Sequence, residues 1–284
     1  MRTITTIVDM QSEAERIRRS GKRIGFVPTM GYLHEGHLSL VREARKQADI
    51  IIMSIFVNPT QFGPAEDFER YPRDIVHDTS LAEDAGIDIL FVPAVNEMYP
   101  NGFRTFVQVE QLSAVWEGKI RPTHFRGVAT VVLKLFNIVK PHVAVFGQKD
   151  IQQAIILRRM VNDLALDVRM VITPIIREAD GLAMSSRNVY LNFEERNQAP
   201  LLRKSLDRAE QMIRDGERDT ALIRREMEEI ITLAPLAKID YITIVEDDRL
   251  EGISRLGKEG NYIIALAVRF GTTRLIDNTL IHIS

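Results

Sequence analysis

Short, continuous apolar runs alternate with amphipathic stretches along roughly the first 180 residues. The apolar runs lie at residues 24–27, 49–57, 87–93, 143–146 and 168–174. Such unbroken runs are typical of strands covered on both faces, as in a parallel sheet. Helical patterns lie between or beside them, at residues 12–20, 38–47, 74–85, 127–139 and 151–162. The alternation predicts an α/β fold with a doubly wound, Rossmann-like parallel sheet.

The pattern changes after residue 186. Two charged amphipathic stretches, 193–214 and 220–233, predict helices, and 239–245, 262–268 and 273–283 predict hairpin-linked strands. We therefore expect a Rossmann-like catalytic domain over residues 1–180. A smaller α+β domain over 181–284 is expected to close over the active site, with a hinge near 177–187. Residues 96–123 are irregular, with a short strand predicted at 105–109.

Composition narrows the class of protein. The 284 residues are 45% hydrophobic and 27% charged, as in globular proteins, with a net charge of −2. No basic excess points to nucleic acid or to an anionic membrane. The absence of cysteine excludes thiolate nucleophiles, cysteine-bound zinc and iron–sulfur clusters. No run of about 18 apolar residues predicts a membrane span, so we expect a cytoplasmic protein.

The stretch from Pro28 to His37 joins the first apolar run to an amphipathic helix. A helix start reached through glycines binds anions, because backbone N–H groups and the helix dipole point at the ligand. His34 and His37, three residues apart, face the same side and can donate to phosphate oxygens. A metal site on these histidines and a purely capping role are the alternatives. The spacing is not that of a zincin, and there is neither a GxGxxG fingerprint nor a P-loop.

Two further loops follow predicted strands, at residues 58–61 and 147–150. Ligands in open α/β sheets bind beyond the carboxyl ends of the strands, so all three loops are expected to line one crevice. Lys149 can stabilise a phosphate that gains negative charge in the reaction, although a solvated loop lysine is the alternative. Residues 184–187 supply two hydroxyls and a guanidinium at the hinge. An ordinary serine-rich linker is the alternative there.

Several polar residues have weaker signals. Gln61 and Gln153 can bind the hydroxyls or carboxylate of a small polar substrate, although glutamines are usually surface residues. Asp78 lies on a polar helix and is a candidate magnesium ligand, although most such aspartates are simply solvated. Arg121 and His124 lie in a segment that can approach the site, and the sequence assigns them no role.

These residues form ordered motifs, and with them the sequence resembles the pantoate–β-alanine ligase (pantothenate synthetase) family. The matching motifs are Pro28-Thr29-Met30-Gly31, His34 with His37, Phe56-Val57-Asn58-Pro59-Thr60-Gln61-Phe62, Thr123-His124-Phe125, Gly147 to Asp150 with Gln152-Gln153, and Asp180 to Asn188. They span most of residues 24–190, whereas the last third of the chain adds only compatible length. The resemblance implies a sheet of the nucleotidyltransferase type, with ATP and pantoate bound by the domain over residues 1–180.

The resemblance also implies a two-step reaction. ATP and (R)-pantoate give pantoyl adenylate and pyrophosphate with the help of Mg²⁺, and the amine of β-alanine then displaces AMP. It further implies a homodimer with these small substrates as its partners. From the composition and hydropathy we expect no nucleic-acid partner and no membrane. The implied ATP-binding residues are Met30, Gly31, Tyr32, Leu33, His34, Glu35, Gly36, His37, Gly147, Gln148, Lys149, Asp150, Ile176, Met184, Ser185, Ser186 and Arg187. The implied catalytic residues among them are His34, His37, Lys149 and Arg187. Asn58, Gln61 and Gln153 are implied for pantoate and β-alanine, and Asp78 remains the candidate metal ligand.

Two positions depart from the family pattern. Gln148 stands where the family usually carries glutamate, and Val76 and His77 precede Asp78 where some relatives have acidic residues. The second departure weakens the case for magnesium binding by protein groups. A nucleotidylyltransferase of the HxGH type acting on another small substrate is the alternative enzyme, and a nucleotide-sensing module without turnover is the alternative of another class.

Overall fold

The computed structural model describes residues 1–64, 66–247 and 249–284. These residues fall into two units, which are described separately. The first unit comprises Met1–Gln148 and Gln152–Pro174, and the second comprises Lys149–Ile151 and Ile175–Ser284.

Six parallel strands form the sheet of the first unit. They are β1 (Arg2–Ile4), β2 (Ile24–Thr29), β3 (Ile50–Ile55), β4 (Ile89–Phe91), β5 (Val143–Gly147) and β6 (Arg169–Thr173). Their order across the sheet is β1-β4-β3-β2-β5-β6, and every pairing is parallel. After the edge strand β1, the chain builds outward from β2, first through β3 and β4 and then through β5 and β6, so the direction of strand addition reverses between β2 and β5. That reversal is where open α/β sheets bind their ligands.

Helices cover both faces of this sheet. They are α1 (Ile7–Arg19), α2 (Glu35–Arg45), α3 (Ile75–Asp84), α4 (Val95–Met98), α5 (Glu117–Ile120), α6 (His124–Val139) and α7 (Ile151–Asp163). Phe26 and Ile52 pack in one hydrophobic cluster with α1 and α6, whereas Val27 and Met53 pack in another with α2 and α3. Each such burial contributes about 1.5–3 kcal/mol. Burial on both faces explains why the strands are continuously apolar, and it confirms the predicted parallel sheet.

The strand predicted at residues 105–109 is wrong. This segment is irregular, and the N–H of Val107 donates to Oγ1 of Thr130 on α6 at 2.9 Å. Val107 and Val109 are apolar because they pack against the core beneath them. Their alternation reflects that one-sided packing and not a strand partner.

The second unit combines helices with an antiparallel sheet, as predicted. The helices are α8 (Phe193–Gln198), α9 (Leu201–Arg214) and α10 (Thr220–Thr232), and the strands are β7 (Ala237–Glu246), β8 (Gly260–Phe270) and β9 (Thr273–Ile283), in the order β7-β8-β9. The single helix predicted over 193–214 is two helices. Pro200 separates them because it has no N–H to donate within a helix. Across the described residues, every helix is too short or too polar to cross a bilayer.

Candidate functional site

The turn between β2 and α2 leaves the sheet beside the reversal of strand order. Gly31 and Tyr32 both have positive φ, at 85° and 52°, so the backbone passes through the left-handed region at two consecutive residues. The carboxylate of Asp78 on α3 accepts hydrogen bonds from two consecutive backbone amides, N of Tyr32 at 2.8 Å and N of Leu33 at 2.6 Å. The turn ahead of the histidines is therefore tied to a neighbouring helix by a buried carboxylate.

His34 and His37 cap the N-terminus of α2. Nδ1 of His34 accepts from N of Gly36 at 3.1 Å, and Nδ1 of His37 accepts from N of His34 at 3.3 Å. The two rings lie 4.2 Å apart between centroids, tilted by 45°. Because Nδ1 accepts in both rings, the proton of each neutral ring sits on Nε2. The capping interpretation is thus compatible with the predicted anion binding, because capping uses Nδ1 and does not use an N–H of either ring.

Metal binding has little support in the side chains around this turn. Within residues 1–64, 66–247 and 249–284, no group of three His, Asp or Glu side chains is arranged to hold a metal ion. Asp78, the candidate magnesium ligand, is 1% exposed and uses both oxygens for backbone amides. Its metal role stays a prediction.

Gln61 lies directly against the β2–α2 turn. It ends a short 3-10 turn, Pro59–Gln61, that follows β3 and is capped by Asn58. Nε2 of Gln61 donates to Sδ of Met30 at 3.1 Å, and Nδ2 of Asn58 donates to Oε1 of Gln61 at 3.1 Å. Asn58 also donates to the carbonyl of Gly127 at 3.1 Å. A Cβ at Gly127 would lie 2.3 Å from the carbonyl oxygen of Thr60, so α6 can approach this turn only with glycine there.

Arg121 and His124 hold the backbone of Gln61. Nδ1 of His124 lies 2.9 Å from the carbonyl oxygen of Gln61, and Nη1 of Arg121 lies 3.2 Å from Nε2 of His124. Since arginine can only donate, Nε2 accepts and Nδ1–H donates to Gln61. Burial, reinforced by the Arg121 charge, lowers the pKa of His124 to about 4. Burial raises the pKa of Glu66, but its ion pair with Arg121 outweighs that and leaves the pKa lowered.

The loop after β5 carries the next predicted residues. Gly147 ends the strand, and Gln148–Asp150 form a 3-10 turn. Gln153 is half-buried on the first turn of α7. Its neighbour Gln152 is buried and forms hydrogen bonds with an earlier loop of the first unit. Nε2 of Gln152 donates to the carbonyls of Leu112 and Val115 at 3.0 and 2.8 Å. Gln152 therefore fixes a loop of the first unit.

Lys149 belongs to the second unit, where a residue of β9 forms a hydrogen bond with its backbone. Nδ2 of Asn278 donates to the carbonyl oxygen of Lys149 at 3.0 Å. The preceding residue, Asp277, accepts two hydrogen bonds from Arg177, at 2.6 and 2.9 Å. Asp277 and Asn278 are each 2% exposed, although both are polar. This polar pair therefore fixes both the lysine backbone and the start of the 177–183 loop.

The 177–183 loop positions the predicted residues 184–187. Arg177 and Ala183 form a bridge, and N of Met184 donates to the carbonyl of Ile176 at 3.0 Å. Oγ of Ser185 then accepts from N of Arg187 at 3.3 Å, which caps the short helix Ser186–Tyr190. The segment is thus a defined turn with a capped helix start, and the serine-rich linker alternative does not describe it.

Sequence reasoning missed three kinds of residue in these sites. It gave Asp78 a metal role without seeing its backbone partners, left Arg121 and His124 without a role, and passed over Asp277 and Asn278. The sequence signal for the last pair is the polar run Asp277-Asn278-Thr279, which lies between the apolar pairs Leu275-Ile276 and Leu280-Ile281. In the first unit the structure brings Met30, the two histidines, Asn58 and Gln61 together around one turn. Lys149, Asp150, Ile176 and residues 184–187 belong to the second unit.

A parallel sheet whose central strand leads, at the reversal of strand order, into a histidine-capped helix defines an α/β enzyme of the nucleotide-binding class. The pantoate-beta-alanine ligase family model matches residues 2–280. The chain belongs to that family.

Pantothenate synthetases from other organisms are similar to this chain over its whole length. Pantothenate synthetase of Acetivibrio thermocellus is 54% identical over 283 residues, covering 100% of both chains, and that of Caldicellulosiruptor bescii is 56% identical over 282 residues, covering 99% of both. The crystal structure of pantothenate synthetase from Thermus thermophilus superposes with a TM-score of 0.92 at 48% identity, covering 98% of this chain and 99% of the other. Pantoate-beta-alanine ligase from Francisella tularensis, in complex with beta-gamma ATP and beta-alanine, gives 0.81 at 33% identity, covering 99% and 97%.

Proposed function

We propose that the chain is an ATP-dependent ligase that joins (R)-pantoate to β-alanine and forms pantothenate. In the first step a carboxylate oxygen of pantoate attacks the α-phosphorus of ATP, the bond to the bridging oxygen breaks, and pyrophosphate leaves. In the second step the β-alanine amine attacks the acyl carbon of pantoyl adenylate, the carbon–oxygen bond breaks, and AMP leaves. Family membership supports the overall reaction, and the Francisella tularensis complex supports ATP and β-alanine as ligands.

The observation that carries the proposal is the contact between Gln61 and Met30. Nε2 of Gln61 donates to Sδ of Met30 at 3.1 Å, so the amide proposed for the organic acid touches the turn proposed for ATP. A plain nucleotidylyltransferase has no need for this amide beside its nucleotide. A ligase needs the acid within reach of the α-phosphorus, because reacting atoms must approach to about 3–3.5 Å.

The histidine pair supplies fixed donors to the phosphates. Its Nδ1 atoms are occupied by backbone N–H groups, so each Nε2–H is held in one orientation before ATP arrives. In-line attack crowds negative charge on the phosphates, and fixed donors at a helix N-terminus stabilise that charge without reorganisation. Such a group is worth about 10²–10³ in rate. We assign His34 and His37 to the departing pyrophosphate.

The remaining predicted residues complete the proposal. We assign Lys149 and Arg187 to the phosphates as catalytic cations. The resemblance supports these roles, and the locally fixed backbones of Lys149 and Arg187 are consistent with them. Asn58 and Gln153 join Gln61 in binding pantoate. A homodimer is proposed on the resemblance alone, and the cytoplasm remains the expected location. The other residues assigned to ATP are Met30, Gly31, Tyr32, Leu33, Glu35, Gly36, Gly147, Gln148, Asp150, Ile176, Met184, Ser185 and Ser186.

Magnesium fits this chain only as a companion of its substrate. Asp78 has both oxygens on backbone amides, and the described residues contain no three-ligand set. Mg²⁺ prefers to keep water ligands and to bind substrate phosphates. In this proposal Mg²⁺ therefore belongs to the ATP substrate, and no step uses an ion held by protein groups.

Isotope exchange between pyrophosphate and ATP tests the proposal. We expect exchange that depends on pantoate and does not need β-alanine, followed by AMP release when β-alanine is added. A nucleotidylyltransferase for another substrate would show no exchange with pantoate. A sensing module would bind ATP without any exchange, and either result would overturn the ligase assignment.

A further inference from the structure

Asp78 is a deeply buried acidic side chain beside the candidate site. It lies in the first turn of α3, is 1% exposed, and uses one oxygen for each of two consecutive amides. Its partners are Tyr32 and Leu33, which immediately precede the histidine-capped helix. An unpaired carboxylate at such depth is costly, so this arrangement persists only because both oxygens are satisfied.

The turn that Asp78 holds is strained. Gly31 and Tyr32 have φ of 85° and 52°, and a left-handed conformation is unfavourable for a residue with a Cβ such as Tyr32. A Cβ on Gly31 would lie 2.8 Å from Oδ2 of Asp78, so the glycine also gives the carboxylate room to approach. Strained backbone persists where surrounding contacts over-determine it. The two hydrogen bonds from the turn to Asp78 are such contacts.

We propose that Asp78 is a positioning residue for the phosphate site: it fixes the 31–33 turn, and through it the direction in which His34 and His37 present their Nε2 donors. The turn ends at Leu33, and His34 is the N-cap residue that follows. A rotation of the turn would therefore rotate the cap, and with it both imidazoles. This inference rests on the proposed function, because it takes the histidine pair to bind ATP phosphates.

The charge balance around Asp78 is compatible with a nearby polyphosphate. Its negative charge is compensated by two amide hydrogens and by its place in the first turn of α3, whose dipole is positive there. Replacing Asp78 by asparagine keeps the size but puts an NH₂ group against one of the two backbone N–H donors. Asp78→Asn therefore breaks one of the two bonds while leaving the packing nearly unchanged.

The test is ATP binding by Asp78→Asn, with Asp84→Asn as the matched control. Asp84 is exposed at the end of the same helix and undergoes the same change of charge. Calorimetry with ATP is carried out in EDTA and again with Mg²⁺, and circular dichroism verifies folding. We expect the dissociation constant of Asp78→Asn to rise about 10-fold or more under both conditions, because a misdirected imidazole loses a hydrogen bond to a charged phosphate. Asp84→Asn should bind ATP like the unaltered protein.

Two results would overturn the inference. Equal ATP binding by Asp78→Asn and Asp84→Asn in both conditions would mean that the turn does not depend on the carboxylate. Weaker binding only in Mg²⁺, with normal binding in EDTA, would make Asp78 a metal-linked group and not a positioning residue.

Hydrogen exchange on the unaltered protein decides the question if Asp78→Asn fails to fold. The amides of Tyr32 and Leu33 should exchange at least about 10²-fold more slowly than an open chain, because each is bonded to a buried carboxylate. Exchange at the open-chain rate would overturn the inference. None of these measurements uses pantoate, so a protein that binds ATP but fails to ligate pantoate would overturn the proposed function and leave the role of Asp78 intact.

Discussion

His34 and His37 are locked in the same tautomer, because Nδ1 of each ring accepts a backbone hydrogen bond at the start of α2. In the proposed function the pair has two separable duties: Nδ1 caps the helix, and Nε2–H donates to the phosphates. Substitutions that retain one duty and remove the other can distinguish them.

His37→Asn retains the cap and removes the donor. Oδ1 of asparagine can replace Nδ1 as acceptor for N of His34, but its NH₂ group is attached closer to the backbone and does not reach the position of Nε2–H. We expect kcat to fall about 10²-fold with little change in thermal stability. His37→Ala should lose a similar amount of activity and, in addition, about 1 kcal/mol of stability from the lost cap. Near-normal kcat in a folded His37→Asn protein would contradict the assigned role.

Gln61→Ala separates the acid site from the ATP site. Loss of the amide should raise KM for pantoate about 10-fold, corresponding to one or two hydrogen bonds, while the dissociation constant for ATP changes far less. Steady-state kinetics with pantoate varied and calorimetry with ATP measure the two effects. Gln211→Ala, at an exposed position of α9, is the control and should change neither. A selective loss of ATP affinity in Gln61→Ala would assign the amide to the nucleotide instead.

The buried His124 predicts a pH dependence of stability. Its pKa in the folded protein is about 4, below the ordinary 6.5, so folding disfavours its protonation. The stability that its neutral form contributes is complete above pH 6.5 and is lost as the pH falls from 6.5 towards 4. The full loss is of order 3 kcal/mol. Denaturant unfolding at about pH 7 and about pH 4.5 measures it.

His124→Asn is the control for that measurement. The asparagine amide can still donate to the carbonyl of Gln61, but it does not titrate in this range. Its stability should therefore fall less than that of the unaltered protein over the same pH interval. Equal losses in the two proteins would show that His124 is not the group responsible.

Asn278→Ala tests whether the hydrogen bond from Asn278 positions Lys149 for catalysis. Removal of the bond from Nδ2 to the Lys149 carbonyl frees the backbone of the lysine, and we expect kcat to fall about 10-fold or more. Asn261→Ala is the control, since Asn261 is an exposed asparagine on the adjacent strand β8. A protein with altered stability but unchanged kcat would show that Asn278 has only a structural role.

The sequence predicted the elements that have local causes. The strand that begins at Ile24 and the helix α2 follow from an unbroken apolar run and a glycine-rich turn. The roles of Asp78 and Asn278 depend on partners 45 and 129 residues away, which no local pattern contains. The incorrect prediction of a strand at residues 105–109 has the same cause, namely contacts with distant residues. Val107 and Val109 pack against the core on one side, and this produces an apolar alternation that resembles a strand. Pro200 was a local signal for the break between α8 and α9, and the prediction of a single helix over 193–214 did not use it.

The most direct test of the central claim follows oxygen from pantoate to AMP. Pantoate labelled with ¹⁸O in both carboxylate oxygens is converted in the presence of ATP and β-alanine, and the AMP is analysed by mass spectrometry. If a carboxylate oxygen attacks the α-phosphorus, each AMP formed carries one ¹⁸O. Unlabelled AMP, or label in inorganic phosphate, would contradict the adenylate route and the site assignments that depend on it.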